Sequence, residues 1–149
     1  MKKAGKRFYV TDASVILKWF SQTGEKDLDK AIQLRKDFKE RNIDLYAPEL
    51  LIYEIANVLR YKKILGDDII HKAISSIYDM DILWPVNSGV MSRALTIARL
   101  YHITVYDSSY LSFAQSVGCH LITADKKLYQ KVMGLPGIIF ISDYIPEKI

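Results

Sequence analysis

Hydrophobic positions along this chain switch repeatedly between short β-branched runs, as in buried strands, and the three-to-four spacing of helices. Residues 8–11, Phe-Tyr-Val-Thr, suit an inner strand, and Val15, Ile16, Trp19 and Phe20 then recur at helical spacing, so Asp12 stands at a strand-to-helix junction. An amphipathic helix is expected over 24–41, with Leu28, Ala31, Ile32, Leu34 and Phe38 set among many charges. Residues 44–47 read as a second strand. Pro48 opens a helix over 48–63 from its favoured first-turn position, with Leu51, Ile55, Val58 and Leu59 on one face and Glu54 at the edge of that stripe. Gly66 is a helix stop and Asp67 or Asp68 a fresh cap, followed by the stripe Ile69, Ile70, Ala73, Ile74 and Ile77.

The second half continues the alternation. A third strand is expected over 81–86 with Pro85 near its end, then a helix over 88–101 with Val90, Ala94, Ile97 and Ala98 facing inward. Residues 103–106 read as a very short fourth strand running into Asp107, and Tyr110, Leu111, Ala114 and Val117 mark a helix that Gly118 ends. A fifth strand at 119–123 leads into Asp125 and a basic helix, and 137–141 reads as an edge strand. Strands and helices alternating at this rhythm imply right-handed crossovers. The expected architecture is an α/β three-layer α/β/α sandwich with a mostly parallel, about five-stranded central sheet.

Composition narrows the setting. The 149 residues, 50% hydrophobic and 26% charged, fit a single domain over 1–149 with a real core. The charge, 21 Lys plus Arg against 17 Asp plus Glu, tolerates an anionic partner without demanding one. Cys119 is the sole cysteine, which excludes an internal disulfide and a Cys-rich zinc site, fits a reducing compartment and suggests a small buried hydrophobe. The basic start, MKKAGKR, is followed by an apolar run that Asp12 breaks, so it does not read as an export signal. With no apolar stretch of membrane-spanning length, a cytoplasmic protein is expected.

The chemistry lies in the carboxylates. Asp12, Asp107 and Asp125 each follow an expected strand, and in a parallel sheet such junctions share one edge. Any one of them reads most simply as a helix cap, but three together with Glu54 make capping a weaker explanation. Four carboxylates gathered in one place repel each other unless a cation is bound. A hard divalent ion, Mg²⁺ or Mn²⁺, is the natural occupant, and such a site supports phosphodiester hydrolysis. His71, His102 and His120 lack ligand spacing; only His102, near Asp107, is held in reserve. A haloacid-dehalogenase-type phosphatase would want a second Asp where Ser14 stands, and a receiver domain an acidic pair that Asp12 lacks.

The segments VTDASVILKWF, PELLIYEIANVLR, ITVYDSSYLSFA and LITADKKL, in that order, resemble those of the PIN-domain nucleases, most closely the single-domain VapC-type toxins. The segment around Asp107 is the most specific of the four. The resemblance implies a metal-dependent endoribonuclease in which Asp12, Glu54, Asp107 and Asp125 are catalytic and hold Mg²⁺ or Mn²⁺. Ser14 and Thr123 match positions that often help to orient the family's site. Capping is the simpler reading for Ser14, and Thr123 stands between orienting and packing. Asn57, one turn beyond Glu54, is a candidate for the polar rim. Lys18, Arg60, Lys62, Lys63, Lys126 and Lys127 lie in the acid-bearing elements and are available to an RNA phosphate chain. The resemblance further implies a homodimer and a small antitoxin in an apolar groove, for which Trp19 and Phe20 are plausible lining. The competing readings are a housekeeping RNA-processing PIN ribonuclease and a non-catalytic PIN module that binds RNA or protein.

Overall fold

The computed structural model describes residues 5–20 and 25–146. Among them, five strands form one sheet: β1 (Arg7–Thr11), β2 (Ile43–Pro48), β3 (Leu83–Trp84), β4 (His120–Thr123) and β5 (Ile138–Phe140). Every pairing is parallel, and the order is β3-β2-β1-β4-β5. The connecting helices are α1 (Ala13–Lys18), α2 (Leu28–Lys39), α3 (Leu50–Leu59), α4 (Asp67–Asp79), α5 (Ser88–Tyr101), α6 (Val105–Val117) and α7 (Lys126–Val132). The chain steps outward from β1 to β2 to β3, returns to β4, and steps outward again to β5. With right-handed crossovers this winding puts α1 to α4 on one face and α5 to α7 on the other. Strand order therefore reverses between β1 and β4, and a crevice opens at their carboxyl ends.

The core explains why these segments take these forms. Val10, Leu45, Ala47, Leu121 and Ile122 are sealed within the sheet, while Val15, Ile16, Leu51, Ile55 and Leu59 seal it from one side and Leu111, Phe113 and Ala114 of α6 from the other. Both faces are covered where β1 and β4 end, so 9–11 and 121–123 are continuously buried runs, whereas β2 alternates, with Asp44 and Tyr46 half-buried. Phe8, near the start of β1, is half exposed and stacks on Tyr46 beside Trp84. Among the described residues no helix is long and apolar enough to cross a membrane.

Several boundaries differ from the sequence expectation. No strand forms at 103–106. His102 closes α5 in the left-handed region (φ 55), and Thr104 at once caps α6, its hydroxyl accepting the Asp107 N–H at 3.0 Å. Ile103, Val105 and Tyr106 have strand-like side chains, but the Thr-x-x-Asp cap prevails. Pro48 ends β2 instead of opening a helix. The flanking amides of Ala47 and Glu49 donate to Ile82 and Trp84, which turns the Pro48 nitrogen toward the side where β1 pairing has already stopped at Val10↔Tyr46. The helix after it is α3 alone, ending at Leu59 rather than 63, with Val58 exposed. Gly66 is itself the N-cap of α4, with Asp67 and Asp68 in its first turn, where their charge favours the helix dipole. Strand 81–86 shrinks to β3, and Cys119 is only half-buried. The helix expected over 24–41 is α2, with Ile32 exposed; Gly24 lies outside the described residues.

Candidate functional site

Asp12 follows β1 directly and caps α1, its Oδ1 accepting the Val15 amide at 3.4 Å. Two hydroxyls hold it further: Ser14 Oγ donates to Oδ1 at 2.5 Å and Thr123 Oγ1 to Oδ2 at 2.5 Å. Ser14 Oγ in turn accepts the Ala124 amide at 2.9 Å, and Thr123 Oγ1 accepts the Asp125 amide at 3.1 Å. The carboxyl ends of the neighbouring strands β1 and β4 are thus tied together by side chains as well as by the ladder that pairs Thr11 with Ile122. Asp12 is only 5% exposed, and burial pushes its carboxyl up from 3.8 to about 6. The hydrogen bonds from Ser14, Thr123 and Val15 oppose that rise, and the charge of Asp107 adds to it.

The other three acids arrive from different elements. Asp125 ends the β4 connection and caps α7, its Oδ1 accepting the Leu128 amide at 3.0 Å. Capping is therefore real for Asp12 and Asp125, and it fixes where each carboxylate stands. Asp107 sits in the first turn of α6; burial raises its carboxyl most, the Thr104 hydrogen bond opposes this, Asp125 adds to the rise and Lys131 lowers it. Glu54, half-buried on α3, is raised by burial and by Asp107 and lowered by a hydrogen bond from Tyr110. All four carboxylates line one pocket of about 250 Å³, with Ser14, Asn57 and Tyr110 also on its wall. Thr123, fully buried, does not line it and acts on it through Asp12.

Tyr110 was not legible as a site residue by chemistry alone, although it stands one turn after Asp107 on the same face of α6. Its hydroxyl donates to Glu54 Oε1 at 2.5 Å. Burial, with the charges of Glu54, Asp12 and Asp107, pushes its ionisation far above the usual tyrosine range, so it is a permanent donor. Lys131 was also missed; it neighbours Asp107 electrostatically and donates to the His102 carbonyl at 3.3 Å. Lys18, by contrast, is not available to a ligand, being 9% exposed and bound to Glu25 and to the Lys26 carbonyl, both at 2.8 Å. His71, His102 and His120 are exposed and do not line the pocket.

The donor set fits a hard cation. It is all oxygen, and Asp12, Glu54 and Asp107 are each raised by a neighbouring carboxylate, a repulsion that a divalent ion relieves. Among the described residues no three His, Cys, Asp or Glu side chains stand close enough to enclose an ion by themselves. The set suits an ion of the Mg²⁺ kind, which keeps several of its waters and takes only a few carboxylates directly.

A family model for the PIN domain matches residues 9–132. The chain belongs to the PIN domain family. This PIN domain is similar to ribonuclease VapC3 of Pyrobaculum aerophilum, 28% identical over 97 residues that cover 62% of this chain and 74% of the relative. Among solved structures it is similar to PAE2754 of Pyrobaculum aerophilum, 23% identical with a TM-score of 0.65, covering 94% of this chain and 93% of that one. It is also similar to a chain of a toxin-antitoxin complex from Klebsiella pneumoniae, 13% identical with a TM-score of 0.62, covering 89% of this chain and 97% of that one. These two likenesses bear on the fold, the PIN-like α/β arrangement of a parallel sheet between helical layers.

The same PIN domain carries a larger groove, of about 420 Å³, on the α1–α2–α4 side. Trp19, Phe20, Phe38 and Met80 supply its apolar wall, and Arg35, Lys39 and Arg41 a predominantly basic rim that also includes Asp79. Trp19 is fixed there by donating its indole N–H to the Ala31 carbonyl at 2.8 Å, and the Arg35 guanidinium lies 5.8 Å from its ring centre.

Proposed function

We propose that this PIN domain is an endoribonuclease that hydrolyses RNA phosphodiester bonds with the help of Mg²⁺ or Mn²⁺ held by Asp12, Glu54, Asp107 and Asp125. The observation that carries the reading is the convergence of four carboxylates from α3, α6 and the ends of β1 and β4 in one pocket. When bound, the ion supplies Lewis-acid activation of water and offsets charge on the phosphoryl oxygens. The chain's own residues perform the positioning. Ser14 and Thr123 fix both oxygens of Asp12, the first turn of α6 fixes Asp107, the α7 cap fixes Asp125, and Asn57 offers an amide at the rim.

We read the chain further as the toxin of a toxin-antitoxin pair, acting in the cytoplasm as a homodimer. The name of the Pyrobaculum ribonuclease VapC3 and the Klebsiella toxin-antitoxin complex support this role. The apolar groove with its basic rim fits an apolar antitoxin segment that carries acidic residues.

The test is cleavage of a panel of structured and unstructured RNAs by purified protein with Mg²⁺, Mn²⁺ or chelator, beside Asp107→Asn shown to be equally folded. Cutting that needs the ion and disappears in the variant supports the reading. Wild-type turnover by Asp107→Asn overturns the site assignment. A short neighbouring reading frame whose product co-purifies with the chain and stops cleavage supports the toxin over a housekeeping nuclease.

A further inference from the structure

We infer that Tyr110 is a positioning residue of this site, its hydroxyl holding the Glu54 carboxylate against the pocket. The inference rests on the function proposed above. Asp12 is held by three donors: the Val15 amide, Ser14 and Thr123. Among the described residues, Glu54 is held by Tyr110 alone, at 2.5 Å. The two residues are 56 positions apart and come from helices on opposite faces of the sheet, so their bond spans the crevice at the strand-order reversal.

Glu54 needs such a tether more than the aspartates do. It stands in the middle of α3 rather than at a cap, on a side chain with three rotatable bonds and half-exposed to solvent. Asp107 repels it from across the pocket. Without a donor on the pocket side, both repulsion and hydration draw the carboxylate outward. Tyr110 is itself rigid: its ring is 1% exposed in the core, on a fixed turn of α6 three residues after Asp107. Its bond occupies Oε1 and leaves Oε2 for an ion, as hydrogen-bond partners behind metal-bound carboxylates do.

The decisive experiment is calorimetric Mn²⁺ titration of wild type, Tyr110→Phe and Asp107→Asn, with melting temperatures measured with and without Mn²⁺. Removing the hydroxyl is expected to weaken Mn²⁺ binding about 10-fold, the lower end of the range for lost partners behind metal ligands. The Mn²⁺-induced rise in melting temperature should shrink, and kcat should fall with KM for RNA within about two-fold. A purely structural hydroxyl lowers the melting temperature equally with and without Mn²⁺ and leaves the affinity unchanged. If wild type binds Mn²⁺, Asp107→Asn does not, and Tyr110→Phe binds like wild type, the role of Tyr110 is overturned and the nuclease reading stands. If wild type neither binds Mn²⁺ nor cuts RNA, both fall. Should Tyr110→Phe not fold, Glu54→Asp is titrated instead, because it withdraws the carboxylate from the hydroxyl by one methylene; wild-type affinity there overturns the inference.

Discussion

Thr123 and Asp12 lie 111 residues apart in the chain, yet the threonine hydroxyl donates to the aspartate at 2.5 Å. The same oxygen accepts the Asp125 amide, so one buried hydroxyl aligns two of the four acids. Thr123→Val keeps the volume and the β-branching and removes only this chemistry. It is expected to destabilise the ion-free protein by about 1–3 kcal/mol, the cost of leaving buried polar groups unpaired. Cleavage should slow by more than that loss explains. Urea midpoints and kcat, measured on the same preparation, check both.

The raised Asp12 carboxyl makes stability depend on pH. Its folded value, about 6, lies above its unfolded 3.8, so between these values the folded state holds the proton more tightly. The associated stability is fully present below about pH 4 and lost as pH rises through 6, on the order of 3 kcal/mol in all. Glu54 and Asp107, also raised, act in the same direction. Urea denaturation of ion-free protein from pH 4 to 7 should show falling stability, with a flatter profile in Asp12→Asn. Added Mn²⁺ should reduce the slope by favouring the ionised form. A stability that rises across this window would contradict the assignment.

Thr104 is the N-cap whose hydroxyl accepts the Asp107 amide. Thr104→Ala should destabilise the fold by about 1 kcal/mol through loss of the cap. Because the frayed turn carries a site carboxylate, RNA cleavage should drop at temperatures where the protein remains folded. Thr104→Ser should restore both, and kinetics beside thermal melts decide the matter.

A second buried carboxylate lies away from the acidic pocket. Asp37 on α2, 1% exposed, accepts hydrogen bonds from Gln33 at 3.0 Å and from the Tyr144 hydroxyl. Lys30 adds a bond to the Tyr144 carbonyl at 2.7 Å, which pins the end of the described chain to α2. Tyr144→Phe should cost about 1.5–3 kcal/mol, as expected for a hydrogen bond to a charged group. RNA cleavage at a permissive temperature should be unchanged, because Tyr144 is not part of the acidic pocket.

An acidic pocket needs neighbouring cations to receive a phosphate chain. Lys126, Lys127 and Lys131 on α7 are exposed, and Lys131 lies near Asp107. RNA affinity should fall steeply as salt rises, and the logarithmic slope should lessen by about one for each phosphate-contacting lysine replaced by alanine. Filter-binding isotherms over a salt series, with Asp107→Asn to prevent cleavage, measure this directly.

What the sequence could show follows from the range of the forces involved. Asp12 and Asp125 were legible because strand periodicity and N-capping are local, and both residues do follow strands and cap helices. Asp107 lines the pocket with the other acids, but the strand expected before it does not form, since a β-branched and aromatic run before an aspartate looks alike in a strand and in a capped first turn. Lys18 reads as a cation available to RNA and Asp37 stands among the many charges of an amphipathic helix; the burial of both comes from partners that helical spacing does not reveal.

The sequence by itself determined the alternation of strands and helices and the chemistry of the acids, because each of these depends on neighbours within a turn or a strand's length. Tertiary structure decided the rest. The reversal of strand order between β1 and β4 let carboxylates from both faces of the sheet meet in one crevice. It also set Tyr110 against Glu54 and lifted the Asp12 carboxyl, because desolvation and cross-chain hydrogen bonds exist only once distant segments are packed together.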